Sequence, residues 1–144
     1  MNRETVYSTL FSKLQAATAG SIKTSSRILR HWNDVEPADM PALFQAQKNQ
    51  HPTQKPALPA VWTLPVELYL YVSAPDDQTP PATQLNNLLD AIEAVLKPAP
   101  GQDYCTLGLD NVHHAWINGE VMTDEGTLGN LAVAIIPVEI LVKY

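Results

Sequence analysis

Cysteine is almost missing from this 144-residue chain. Cys105 stands alone, which excludes an internal disulfide framework and fits a reducing compartment. A lone thiol with no motif around it reads as a small buried hydrophobe rather than a nucleophile. No stretch approaches the ~18 apolar residues of a membrane-spanning helix. The opening MNRETVYSTLFSKLQ alternates charge with apolar residues and builds no secretory leader. These absences set the expectation of a soluble protein with no membrane partner.

Signatures of catalysis are also lacking. No glycine-rich loop precedes a helix, and no Gly-x-Ser-x-Gly occurs. His113 and His114 are adjacent, so on a strand they face opposite ways and cannot share one metal in the usual manner. His31, His51 and Cys105 show none of the short spacing that makes zinc motifs specific. Asp76 and Asp77 could hold Mg²⁺ with water completing the shell, but paired acids in a proline-rich loop are ordinarily solvated. Ser25, Ser26 and Thr106 become nucleophiles only by pairing them arbitrarily with distant histidines. The expectation is therefore no catalytic residue, no metal site and no cofactor.

Basic charge is scarce beyond the first third. Residues 1–55 carry seven basic and four acidic side chains, whereas residues 56–144 carry two and eleven, so the two parts stand at +3 and −9. An acidic chain without a basic stripe is unsuited to reading duplex DNA, where phosphate neutralisation supplies most of the affinity. The imbalance is either an ordinary solvated surface or the seed of two oppositely charged faces in the fold.

What is present is the pattern of one α+β domain spanning residues 1–144. Val6, Tyr7, Leu10, Phe11 and Leu14 recur at helical spacing over residues 3–17, and Gly20 ends that helix. Residues 24–32 (TSSRILRHW) read as a strand, with Arg27, Leu29 and His31 on one face and Ile28, Arg30 and Trp32 on the other. Residues 33–41 are a turn-rich break, and 42–47 a short strand. The best strand signal is 61–72, where Trp62, Leu64, Val66, Leu68, Leu70 and Val72 alternate with Thr63, Pro65, Glu67, Tyr69 and Tyr71. Pro65 donates no ladder hydrogen bond and so predicts an edge position or a bulge.

A tight acidic loop over residues 73–79 leads to a second helix opened by Pro80 and Pro81, with Thr79 the expected N-cap. Leu85, Leu88, Leu89, Ile92, Val95 and Leu96 form its apolar stripe, and Pro98 stops it. The last third predicts a strand over 112–123, a turn through Asp124, Glu125 and Gly126, and a strand over 131–144 whose first half is apolar on both faces and thus buried on both. The fold class is a mixed or antiparallel sheet with both helices packed on one face. Trp32, Trp62 and Trp116 belong to the core or its rim.

Between the strands at 42–47 and 61–72 lies a proline-studded polar excursion, residues 48–59 (KNQHPTQKPALP). Loops beyond about 12 residues are uncommon in compact domains and tend to be functional or disordered. This one reads as a protruding hairpin arm, mobile in isolation, with Lys48, His51 and Lys55 giving it positive character. Tyr69 and Tyr71, on the less apolar face of the central strand, suit a protein contact or partial burial under another element.

The opening MNRETVYSTLFSKLQ, the stretch SSRILRHWNDVEPADMPALFQAQ, the central VWTLPVELYLYV and the closing HHAWINGEVMTDEGTLGNLAVAIIPVEIL together resemble the tail-terminator, or tail-completion, proteins of long-tailed phages and related prophages. The resemblance runs over most of the chain in element order and phrasing. It implies a non-enzymatic virion protein, assembled in the bacterial cytoplasm, that caps the finished tail tube as a ring, commonly a hexamer, and offers the surface to which the head attaches.

The partners implied are further copies of the chain, the major tail tube protein and a neck or head-closure protein, with DNA only as passing cargo. Lys48, His51, Lys55, Arg27, Arg30, Tyr69 and Tyr71 are then the candidate protein contacts. Asp76, Asp77, Asp110, Glu120, Asp124 and Glu125 are the candidate acids of a lumen that keeps duplex DNA from adhering, and reversing Asp124 and Glu125 to Lys is expected to spare folding. Three other readings stay open: a neck or head-closure adaptor, a small ligand-binding or enzymatic α+β domain, and a free-standing monomeric adaptor.

Overall fold

The computed structural model describes residues 1–143; Tyr144, which the sequence places at the end of the last strand, lies outside the described residues. The architecture follows from two long strands. β4 (Val61–Ser73) and β7 (Leu131–Lys143) pair antiparallel over their whole length, from Val61↔Lys143 to Ser73↔Leu131. Period-two alternation over 13 residues buries one face of each: Leu64, Val66, Leu68, Leu70 and Val72 on β4, and Ala132, Ala134, Ile136, Val138, Ile140 and Val142 on β7. At roughly 1.5–3 kcal/mol for each large apolar side chain fully buried, this double row is the largest stabilising block in the molecule.

Both helices cover that face. α1 (Arg3–Ala17) is capped by the Asn2 side chain, which accepts from Thr5 N at 3.1 Å, and it buries Val6, Tyr7, Leu10 and Leu14. α2 (Pro81–Val95) contributes Leu85, Leu88 and Ile92 to the same cluster. The fold is thus α+β, an open sheet of seven strands with its two helices on one side, as the sequence pattern requires.

On its outer side β4 is flanked by β2 (Ala42–Gln47) and then β3 (His51–Thr53), with β1 (Thr24–Ser26) parallel to β2 at the rim. On its outer side β7 is flanked by β5 (Val112–Ile117) and then β6 (Met122–Glu125). The order across the sheet is β1-β2-β4-β7-β5. The N-terminal strands therefore form one edge and the C-terminal short strands the other.

Each long strand carries a proline opposite the break in its neighbour. Pro65 lies where β2 passes into β3: four chain steps from Gln47 to His51 oppose three from Val66 to Thr63, and Lys48 N bonds to Pro65 O at 3.0 Å. Pro137 lies where β5 passes into β6, with Asn118 N bonded to Pro137 O at 2.9 Å. A bulged partner leaves no acceptor waiting for the missing N–H, so two prolines sit in central strands at little cost. Of the two positions expected for Pro65, edge or bulge, the bulge is the one observed.

Five expectations are corrected. The strand expected over 24–32 stops at Ser26, because the Ser26 hydroxyl accepts from Ile28 N at 2.9 Å and turns the chain, and His31 Nδ1 accepts from Asn33 N at 3.1 Å to open a 3-10 turn, Trp32–Asp34. The strand expected over 112–123 is two strands separated by the bulge at Asn118 and Gly119, the latter at φ 104° beside the Pro137 ring, and the second strand runs on through Asp124 and Glu125, so the turn expected at those residues begins only at Gly126. The N-cap of α2 is Pro80, with no side-chain cap of its own, in place of Thr79. Finally, the first half of β7 is buried on one face only; Leu131, Val133 and Ile135 on the other are half-buried.

That second face, away from the helices, is covered over only part of its area. Residues 27–41 double back across it and set Trp32, Val35 and Met40 against Ala42, Phe44, Tyr69, Tyr71, Leu131 and Val133 in a smaller apolar cluster. Farther along the same strands Thr63, Pro65 and Glu67 of β4 lie beside Leu141, Glu139 and Pro137 of β7, all half-buried and outside that smaller cluster.

Candidate interaction surfaces

The excursion at 48–59 is a hairpin arm. β3 pairs with the start of β4, and a turn closed by Leu58 N to Lys55 O at 3.1 Å forms the tip. Pro56 fixes the second turn residue, and Ala57 takes the third at φ 64°, a left-handed conformation that a glycine would adopt without strain. The arm is therefore shaped by pairing and by proline. At its base half-buried Gln50 accepts from Arg3 Nε at 2.6 Å and donates to the Tyr7 hydroxyl at 2.9 Å; beyond it the side chains face solvent, with Leu58 58% exposed.

The seven candidate contact residues separate by neighbourhood. His51 and Lys55 are exposed on the arm. Lys48, at its base, sits 3.4 Å from Glu67 and 5.8 Å from the Tyr69 ring centre, while the Tyr69 hydroxyl donates to Glu67 at 2.5 Å. Burial and the neighbouring Glu67 carboxylate push the Tyr69 phenol above its ordinary range. Arg27 pairs with Glu4 of α1 and reaches Gln47, fastening the chain after β1 to the body. That contact holds the Glu4 carboxyl below the usual carboxylate range, chiefly through the hydrogen bond. Arg30 donates to Asp34 O at 2.6 Å. Tyr71 presents almost no surface: it is 5% exposed, its hydroxyl donates to Arg30 O at 2.7 Å, and burial followed by the proximity of Tyr69 pushes it up to about 12.

The six candidate lumen acids do not share one wall. Asp76, Asp77, Asp124 and Glu125 cluster where β4 ends and β7 begins, the two loops being joined by Ala74 N to Asn130 O at 2.8 Å. Asp110 lies at the other end, just before β5, and Glu120 sits in the bulge between β5 and β6. Several are already employed. Asp76 accepts from Gln78 N and Thr79 N, both at 2.7 Å, which holds its carboxyl below the usual range. Asp124 accepts from Thr127 N at 3.3 Å. Glu125 accepts from Ala82 N at 2.8 Å and so supplies from the end of β6 the cap that Pro80 cannot give α2. Reversal of Asp124 and Glu125 to Lys thus removes a helix cap and is expected to lower stability.

Sequence reasoning did not single out the aromatic surface on the uncovered half of the sheet. His114 and Trp116 project from alternate positions of β5, stacked at 5.1 Å, and Tyr104 meets the His114 ring edge-on at 5.4 Å. With Val61, His113 and Leu141 they line an open groove of about 420 Å³. His114 Nδ1 accepts from Cys105 N at 3.0 Å, which orients the imidazole and leaves Nε2 as its donor. The one available signal was the two-residue spacing of His114 and Trp116 on a strand. Cys105 itself is buried, as its isolation suggested. Among the described residues no three His, Cys, Asp or Glu side chains gather where a metal would sit, and no helix is long and apolar enough to cross a membrane.

No family model matches the chain. No curated protein matches it either. Among solved structures it is similar to a chain from the virion of a native gene transfer agent particle, with a TM-score of 0.50 and 8% sequence identity, covering 96% of this chain and 95% of that one. At that identity the likeness is one of fold, and it spans both molecules almost end to end.

Proposed function

We propose that this protein is a non-enzymatic structural component of a phage-like virion, and within that class a tail terminator: a ring that caps the completed tail tube and offers the surface on which the head is joined. The observation that carries the reading is the likeness of fold to a chain of a gene transfer agent virion over 96% of this chain. The resemblance of its segments to tail-terminator proteins supplies the finer role. A ring subunit needs two different lateral surfaces and elements that reach axially. The sheet has two unlike open edges and a hairpin arm at one corner, and heterologous contacts repeated by rotation close into a ring. The partners are then other copies of the chain, the tube protein and a neck protein, with DNA passing through as cargo.

Electron microscopy of the purified protein, alone and mixed with tail tubes from the virion that encodes it, tests this directly. Rings with an open centre, seated on tube ends, are the expected result. A species that stays monomeric at high concentration and ignores tube ends would sink the reading, and attachment to heads in preference to tubes would move the protein to a neck or head-closure role.

A further inference from the structure

The fold turns the uneven charge of the sequence into an uneven pair of edges. Residues 23–41, which form and follow β1, mix Lys23, Arg27, Arg30 and His31 with Asp34, Glu36 and Asp39, whereas residues 48–60, the arm, contain Lys48, His51 and Lys55 and no acid, Lys48 lying by Glu67 at the base and Lys55 exposed near the tip. Both belong to the edge on the β2 side of β4. Residues 118–130, which hold β6 and its turns, contain Glu120, Asp124 and Glu125 and no base. They lie on the opposite edge, beyond β7. Each edge also shows large apolar side chains to solvent. Ile28 is 78% and Leu58 58% exposed on the edge that carries the arm, and Met122 is 54% exposed on the acidic one. Met122 lies beside half-buried Ile135 of the neighbouring strand, with Asp124 two residues along the same strand face. The outer sides of β3 and β6 have no strand partner among the described residues.

We propose that the occupant of the acidic edge is a second copy of this chain: the arm of one subunit, tipped by Lys55 and Leu58, lies on β6 of the next, with Leu58 against Met122 and Lys55 beside Glu120 and Asp124. The proposal rests on the ring reading above and specifies its junction. Because the two patches are different and sit on opposite edges, the contact is head-to-tail and leaves a free copy of each patch at the ends of any open oligomer. Apolar contact at the centre with charge at the rim is the usual anatomy of a specific junction. Pro56 and β3 hold the arm in shape beforehand, which lowers the ordering cost of docking it.

Disulfide trapping tests the junction. Leu58→Cys and Met122→Cys are combined in one chain, native Cys105 being buried and unable to compete. Oxidation at high protein concentration, with and without tail tubes, should give a ladder of covalent oligomers on a denaturing gel, while each single-cysteine variant gives none. Mixing Leu58→Asp protein with Met122→Asp protein should restore heterodimers, since one intact junction remains between an unaltered arm and an unaltered β6, but no ring. Each variant alone should associate about tenfold more weakly or worse. Rings that form in the wild type and give no Leu58–Met122 ladder would overturn this junction while leaving the ring standing. A wild type that forms no ring even on tubes would remove both. A dimer from the Leu58→Cys chain alone would show a symmetric contact and overturn the head-to-tail assignment.

Discussion

The sheet's helix-free face has two halves built from the same strands, and they differ in everything but backbone. Over one half, residues 27–41 fold back and seal Phe44 and Tyr71 beneath Trp32, Val35 and Met40. Over the other, Thr63, Pro65, Glu67, Pro137 and Glu139 stay half-buried and outside that cluster, and the aromatics Tyr104, His114 and Trp116 form a rim beside them. Glu67 and Glu139 explain part of the contrast, since burying an unpaired carboxylate is costly, and Glu67 keeps Lys48 and Tyr69 as partners at the boundary. The covered half is a second core that fixes the fold. On the function proposed above, the uncovered half and the two edges are where assembly has room to act.

The sharpest way to break this contrast is truncation on each side. Phe44→Ala, at a fully buried site, should cost about 3–5 kcal/mol of stability in urea unfolding. Trp116→Ala, at a half-exposed site stacked on His114, should cost only about 1 kcal/mol. Equal losses would mean that the uncovered half is core as well.

Tyr71 sharpens the comparison through pH. Its ordinary value is 10.0 and the fold pushes it up to about 12, so between those values the folded state holds a proton that the unfolded chain has released. Stability from this group is therefore intact below about pH 10 and lost as pH rises toward 12, by about 2–3 kcal/mol in all. Tyr71→Phe should lower stability by about 1 kcal/mol at neutral pH, through loss of the bond to Arg30 O, and should flatten the alkaline slope. An unchanged slope would assign it to other tyrosines.

At the acidic end, Glu125→Gln should cost about 0.5–1 kcal/mol, because it weakens the cap on Ala82 N and the favourable charge at the start of α2. Asp77→Asn serves as the control in the neighbouring loop, and identical behaviour of the two would deny Glu125 its capping role. The smallest effect on folding is expected from the arm. Replacing residues 54–60 by Asn-Gly should change stability by about 1 kcal/mol or less, since loop length enters only logarithmically. On the proposed tail-terminator role, the same change should abolish tail completion in an infectivity assay; normal yields would mean the arm has no role in assembly.

Much of this molecule was legible from residue order alone. The 13-residue alternation of β4, the apolar stripe and proline start of α2, the short strand Ala42–Gln47 and the burial of Cys105 all follow from local patterns, because side-chain period and backbone constraints act within a few residues. So did the charge imbalance between the two parts of the chain. Tertiary structure decided the rest. The expected strand over 24–32 yielded to the hydroxyl of Ser26 and to the packing of Trp32 and Met40 across a face that Tyr71, Leu131 and Val133 bring from distant parts of the chain. Pro65 and Pro137 could sit in central strands only because bulges formed opposite them. Glu125 caps a helix that starts 44 residues earlier, a pairing no local pattern contains. Which charges share an edge was fixed by strand order, and strand order is set by which long strands pair at the centre, a non-local choice made by burial.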